Sequence, residues 1–156
     1  MTEWPPKDAA ALKIWLLDEM PILRERLEVL EARIEAGEAT LHQPVNAHLS
    51  QINVARTTTS DPTYQVVLLW VDQLPALRTE ASAIASMLDE YERAKRALTD
   101  RQRQIIEERY DHYQPVQRVC EAMSLTRSPY YEEHSEALRR MLAVVEWMHD
   151  EGGPAA

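Results

Sequence analysis

The side chains able to do chemistry are scattered along this sequence, not gathered. Its histidines lie at 42, 48, 112, 134 and 149, and its one cysteine at 120. No HExxH run and no Cys/His cluster gives them the spacing that a metal ion needs. Glu107-Glu108 and Glu132-Glu133 are adjacent pairs. Adjacent residues on a helix point about 100° apart, so these pairs suit solvated faces better than acid–base catalysis across a cleft. Three glycines leave no loop able to cradle a phosphate. The expectation is no enzyme, no metal and no cofactor. What remains is the chemistry of cations. Between Leu98 and Leu142 seven arginines stand against eight carboxylates, in a chain whose formal net charge is −9. Every phosphate contact needs local positive charge, so any nucleic-acid face belongs in this last third.

The elements that must position those arginines read as helices. The chain has 156 residues, 45% of them apolar, with no Phe and much Leu, Ala, Glu and Arg. That composition predicts an all-α protein of one compact domain or two small ones. The first helix begins near Asp8, after Pro5-Pro6. Leu16, Met20, Leu23, Leu27, Leu30 and Ile34 alternate four and three apart, a heptad seam. Pro21 should begin or kink the regular helix, and Gly37 should stop it. Residues 42–63 read as a linker, with Ser60 or Asp61 capping a helix that starts at Pro62. Val67, Trp70, Leu74, Leu77, Ala81, Ile84, Leu88 and Tyr91 then form a second seam, with a local bend expected at Pro75. Matching seams predict a hairpin within one chain or pairing between chains. They also point to self-association, with a homodimer favoured. Trp4, Trp15, Trp70 and Trp147 are expected as core or interface anchors.

Three shorter elements follow. Thr99 and Gln102 have the spacing of a capping box. The helix they open carries Ile105, Ile106, Arg109 and Tyr110 and ends before Pro115. PVQRVCEAM then buries Val116, Val119, Cys120 and Met123. Cys120 reads as a small buried hydrophobe, and alone it forms no intrachain disulfide. After the turn Ser124-Leu125-Thr126, a last helix turns Tyr130, Ala137, Leu138 and Met141 inward. A short helix, a three-residue turn and a longer helix make a helix-turn-helix unit. Glu132, Glu133 and Glu136 near its start favour the helix dipole and do not all face one way, since Glu132 and Glu133 point well apart. The segments are therefore 1–41 (coiled-coil-like helix), 42–63 (linker), 64–97 (scaffold helix), 98–147 (helix-turn-helix domain) and 148–156 (disordered tail). The longest apolar run, VVLLWV at 66–71, is too short to span a bilayer. MTEWPPKD lacks the features of a signal peptide, so a soluble cytoplasmic protein is expected.

VQRVCEAMSLTRSPYYEEHSEALRRM resembles the promoter-reading helix-turn-helix of the primary bacterial sigma factors, through its apolar spacing, "LTR" and "ALRR". Upstream, "SDPTYQVVLLWVDQL" followed by "LTDRQRQIIEERY" resembles phage late-gene activators of the ArpU and RinA type, in which a "YY" pair such as Tyr130-Tyr131 is common. The resemblance covers residues 55–147. It implies that Arg127 opens the reading helix, meeting guanine or a phosphate. It places Ser128, Tyr131 and Glu132 at positions that read bases or backbone. It implies flanking phosphate contacts from Gln117, Arg118, Arg101 and Arg103, with Arg139 and Arg140 further along the helix. Tyr131 stands where the sigma factors carry a second exposed arginine. The expected protein is a late-gene transcriptional activator in a bacterial host cell, binding double-stranded DNA and contacting RNA polymerase. Two rivals are a small-terminase-like DNA-packaging protein and a polymerase-binding module that does not touch DNA.

Overall fold

A computed structural model describes residues 3–42 and 62–150, and every regular element among them is helical. The 42–63 linker, apart from its ends, the expected cap at Ser60 or Asp61, and the tail beyond Asp150 lie outside the described residues. The elements are α1 (Ala9–Ile14), α2 (Met20–Leu41), α3 (Pro62–Arg96), α4 (Asp100–Ile106), α5 (Val116–Met123) and α6 (Arg127–His149). They form two compact units, residues 3–23 with 86–150 and residues 24–42 with 62–85, so α2 and α3 each contribute to both.

Asp8 caps α1 by accepting from the Ala11 N–H at 2.7 Å, as its side-chain chemistry predicts. Trp15–Glu19 then form a widened turn, in which the Met20 N–H reaches back to the Trp15 carbonyl. Pro21 is the cause sequence supplies: it offers no N–H, and its ring crowds the carbonyl four residues earlier. The extra residue in the turn relieves that crowding and leaves Trp15 and Leu16 fully buried.

The smaller unit is an antiparallel helix pair within one chain. Arg26 makes two bonds to Glu80, at 2.8 and 3.0 Å, Arg33 reaches Gln73, and Glu38 pairs with Arg78. Leu30, Leu74, Leu77, Ala81 and Ile84 are buried along the seam. The expected stop at Gly37 does not occur, because α2 continues to Leu41. Gly37 is instead a packing position: a Cβ built there would lie 2.6 Å from Cε3 of Trp70. The helices approach closely because nothing stands between the glycine and the indole.

The larger unit has two apolar clusters. The first gathers Leu12, Trp15, Leu16 and Met20 from the N-terminal segment with Tyr91 and Ala94 of α3, then Ile106 and Tyr110, then Ala137, Leu138, Met141 and Val145 of α6. The terminal helices therefore share their core with the start of the chain, which periodicity alone did not indicate. The second cluster, Ile105, Val119, Cys120 and Tyr130, fills the angle between α4, α5 and the start of α6, with Val116, Met123 and Leu125 against it. Thr99 and Gln102 form the expected capping box.

Two polar ties complete this unit. The widened turn Glu107–Asp111 brings Asp111 to Lys95, whose Nζ lies 2.7 Å away while also meeting Glu92 at 3.1 Å. Tyr91 donates to the same Asp111 carboxylate at 2.9 Å. Burial lowers the affinity of Lys95 for its proton, but the hydrogen bonds to Asp111 and Glu92 outweigh it and push its pKa up. At the other end, Glu90 accepts from the Trp4 indole and from His149, the latter at 2.7 Å. Residues 148 and 149, expected in the tail, are thus still helical. Trp147, expected as an anchor, is half exposed.

Candidate nucleic-acid interface

The turn before α6 is built by a backbone motif. Ser124 adopts a left-handed conformation, φ 55° and ψ 41°. Its N–H donates to the Glu121 carbonyl, and the Leu125 N–H donates to Cys120 at 2.9 Å. These two bonds, with Leu125 packed on the cluster that holds Cys120, form a Schellman motif with its apolar contact. They stop α5 and turn the chain within three residues. Thr126 is extended, and α6 begins at Arg127. Pro129 is the third helical residue, where its missing N–H costs nothing.

Arg127 is thereby the first helical residue, and its side chain is exposed. Ser128, Tyr131, Glu132, Ser135 and Arg139 recur at i, i+3, i+4, i+7 and i+11, and all are exposed. At about 100° per residue they form one stripe. The opposite face, Tyr130, His134, Ala137, Leu138 and Met141, is buried. Sequence reasoning placed Ser128, Tyr131, Glu132 and Arg139 and missed Ser135, although its spacing completes the stripe.

The other expected contacts divide into exposed and engaged groups. Arg101 and Arg118 are exposed and pair with no carboxylate among the described residues. Gln117 is exposed and bonds along its own helix to Glu121 at 3.4 Å. Arg139 and Arg140 both turn back to Glu136, at 2.9 and 3.3 Å, so one carboxylate is shared by two cations. Arg103 has a role that sequence reasoning did not assign. Its guanidinium reaches the carbonyls of Lys95, Arg96 and Leu98 at 3.3 to 3.5 Å, covering the end of α3, and it lies 3.7 Å from Asp100.

Behind the stripe lies an aromatic layer. His134 stacks on Tyr130 with ring centres 5.6 Å apart, and Tyr131 meets Tyr130 edge-on at 5.1 Å. The Tyr110 hydroxyl bonds Nε2 of His134 at 2.6 Å. Burial drives the His134 pKa down to about 4, with the positive charges of Lys13 and Arg109 adding to it. Burial likewise pushes Tyr130 up to about 12 and raises Tyr110 further. His134 is therefore a neutral structural ring at pH 7, held by one strong hydrogen bond. It was absent from the expected core because a histidine carries no apolar signal.

Among the described residues no group of three or more His, Cys, Asp or Glu is disposed to hold a metal ion, and no helix is long and apolar enough to cross a membrane. Comparison with protein families, curated sequences and solved structures gives no match to this chain.

Proposed function

We propose that the chain is a sequence-specific DNA-binding activator of phage or prophage late genes. In this reading α5 and α6 are a sigma-like helix-turn-helix, and α6 enters the major groove. The observation that carries it is the Schellman turn at Ser124, which makes Arg127 the first residue of a helix whose exposed stripe is polar and whose back is buried. Arg127 then reads guanine or a phosphate, Ser128 and the helix N-terminus meet a phosphate, and Glu132 accepts from a cytosine amine. Arg101 and Arg118 serve as flanking phosphate contacts. Glu136 offsets part of the charge of Arg139 and Arg140, so few phosphates are met per subunit, and affinity depends on pairing two subunits. Tyr64, Leu68 and Val71 on α3, at i, i+4 and i+7 and about half exposed, favour a second copy of this chain as the partner. Host RNA polymerase is the further partner of an activator of this kind.

The test is selection of bound duplexes from a random pool at low and moderate salt, with mass measured in solution. An enriched two-fold motif with a dimeric mass supports the reading. Retention without a motif by a ring-sized assembly favours DNA packaging instead. No retention at either salt moves the acidic α6 to a role on RNA polymerase without DNA.

A further inference from the structure

An open cleft of about 380 Å³ lies between α1 and α6. Its α1 side is Ala9, Ala10 and Lys13, and its α6 side is formed by Tyr131, His134, Ser135, Leu138 and Arg139. Its existence follows from the sequence of α1. Two successive alanines leave space where larger residues would have closed against α6. The α6 residues recur at i, i+3, i+4, i+7 and i+8, so they line the cleft as one continuous strip.

The chemistry of the lining is selective. Two cations, Lys13 and Arg139, border the cleft, and no carboxylate lines it. In a chain of net charge −9 that is an unusual local balance. Arg139 shares Glu136 with Arg140, so its charge is only partly spent. Burial is the main cause that keeps His134 neutral, and the charges of Lys13 and Arg109 add to it. The rest of the lining is apolar or aromatic, apart from the Ser135 hydroxyl. The Tyr131 ring meets Tyr130 edge-on, and His134 is held by Tyr110, so the floor of the cleft at His134 is set before anything binds. A cleft of this size with an apolar body and a few convergent polar groups has the character of a small-molecule site.

We infer that this cleft binds a small aromatic anion, its ring lying between Ala9–Ala10 and Tyr131 and its carboxylate or similar group meeting Lys13 and Arg139. Tyr131 and Arg139 also belong to the stripe proposed to face DNA, so an occupant opposes DNA binding; that consequence rests on the proposed function, whereas binding of the anion does not.

The experiment is an amide-resolved NMR titration of the full chain with 2-naphthoate, beside its neutral counterpart 2-naphthalenemethanol. Naphthoate is expected to give saturable shifts at Ala9, Ala10, Lys13 and Ser135, with half-saturation near or below ~1 mM for a ligand of this size. The alcohol is expected to bind about tenfold more weakly, as loss of charge-assisted contacts requires. Lys13→Gln should weaken naphthoate about tenfold and leave the alcohol unchanged. Ala10→Leu, at an exposed position, should fill the cleft and abolish both without altering the remaining spectrum. Equal affinity for alcohol and acid, or indifference to both variants, overturns the inference. So do shifts at these residues from a DNA duplex but none from naphthoate, which would make the cations a phosphate contact. DNA binding that is lost while naphthoate still saturates leaves the site standing and removes only the proposed function.

Discussion

The hydroxyl of Tyr110 and Nε2 of His134 face each other at 2.6 Å inside the larger unit, with the His134 ring stacked on Tyr130. This pair makes stability depend on pH with a definite sign. His134 in the folded chain has its pKa lowered to about 4 by burial and by Lys13 and Arg109. An unfolded histidine titrates near ~6.5. Between those values the unfolded chain binds the extra proton, so stability is complete above the higher pH and falls as pH drops toward the lower one. The loss is about 2–3 kcal/mol. Urea unfolding at pH 7.5, 6 and 4.5 measures it. His134→Gln keeps a partner for Tyr110 and removes the titration, so its stability should change less over the same range. Equal slopes for the two proteins would reject the assignment.

Ser124 occupies a left-handed backbone conformation at the end of α5. A residue with a Cβ is strained there and glycine is not, by about 1 kcal/mol. Ser124→Gly should therefore stabilise the protein by about 0.5–1 kcal/mol, while Ser124→Val should destabilise it by more. Denaturant midpoints of the three proteins decide the matter. A destabilising glycine would mean that the serine side chain contributes an interaction that outweighs its strain.

Much of this local architecture is legible in the sequence, for physical reasons. Caps are short-range, so the Thr99–Gln102 box announces itself. Periodicity follows burial, so Val119, Cys120, Tyr130, Ala137, Leu138 and Met141 read as inward and are buried. The misreadings come from contacts across turns or between helices, which neither caps nor periodicity encode. Gly37 has the local signature of a helix stop, and only the nearby Trp70 indole reveals its packing role. Arg103 is one of seven arginines between Leu98 and Leu142, yet it covers the end of α3. The heptad of the first helix is continuous, but Leu16 and Met20 belong to the core containing α6, while Leu30 belongs to the helix pair. In the candidate interface the stripe is readable and the pairing of Arg139 and Arg140 with Glu136 is partly so, since i+3 and i+4 neighbours meet on a helix.

Lys95 is almost wholly buried and meets Asp111 at 2.7 Å, with Glu92 and Glu107 at 3.1 and 3.8 Å. Removing one member of a buried pair leaves the other uncompensated, at a cost of about 3–5 kcal/mol, less here because Glu92 and Glu107 are half exposed. Lys95→Met and Asp111→Leu should each destabilise by about 2–4 kcal/mol. The double variant should cost less than their sum, because neither charge is then stranded. Additive losses in the double-mutant cycle would show that the two groups do not interact.

Gly37→Ala sets two effects against each other. Alanine favours a helix interior by about 1 kcal/mol over glycine. Its methyl, however, would sit 2.6 Å from Cε3 and 3.0 Å from Cδ2 of Trp70. The indole or the backbones must move, and overpacking of this kind costs about 1–3 kcal/mol. Net destabilisation is expected. Trp70→Leu in the same chain should relieve the clash and make Gly37→Ala nearly neutral. A stabilised single variant would mean that the helices separate easily and that close approach is not required.

Arg103 and Arg127 provide the clearest division between fold and function. Arg103 holds three backbone carbonyls at the end of α3, whereas Arg127 is exposed at the start of α6 and pairs with no carboxylate among the described residues. Arg103→Ala should lower stability by about 1–2 kcal/mol through loss of charge-assisted bonds. Arg127→Ala should leave stability within about 0.5 kcal/mol of the parent. On a selected duplex Arg127→Ala should weaken binding by about 1–3 kcal/mol and relax preference at one base pair if the guanidinium reads a base. If it meets a phosphate, preference should persist and the slope of log affinity against log salt should flatten by about 1. Unfolding curves with duplex titrations at several salt concentrations separate these outcomes. Unchanged affinity, preference and salt slope in Arg127→Ala would remove α6 from the DNA interface.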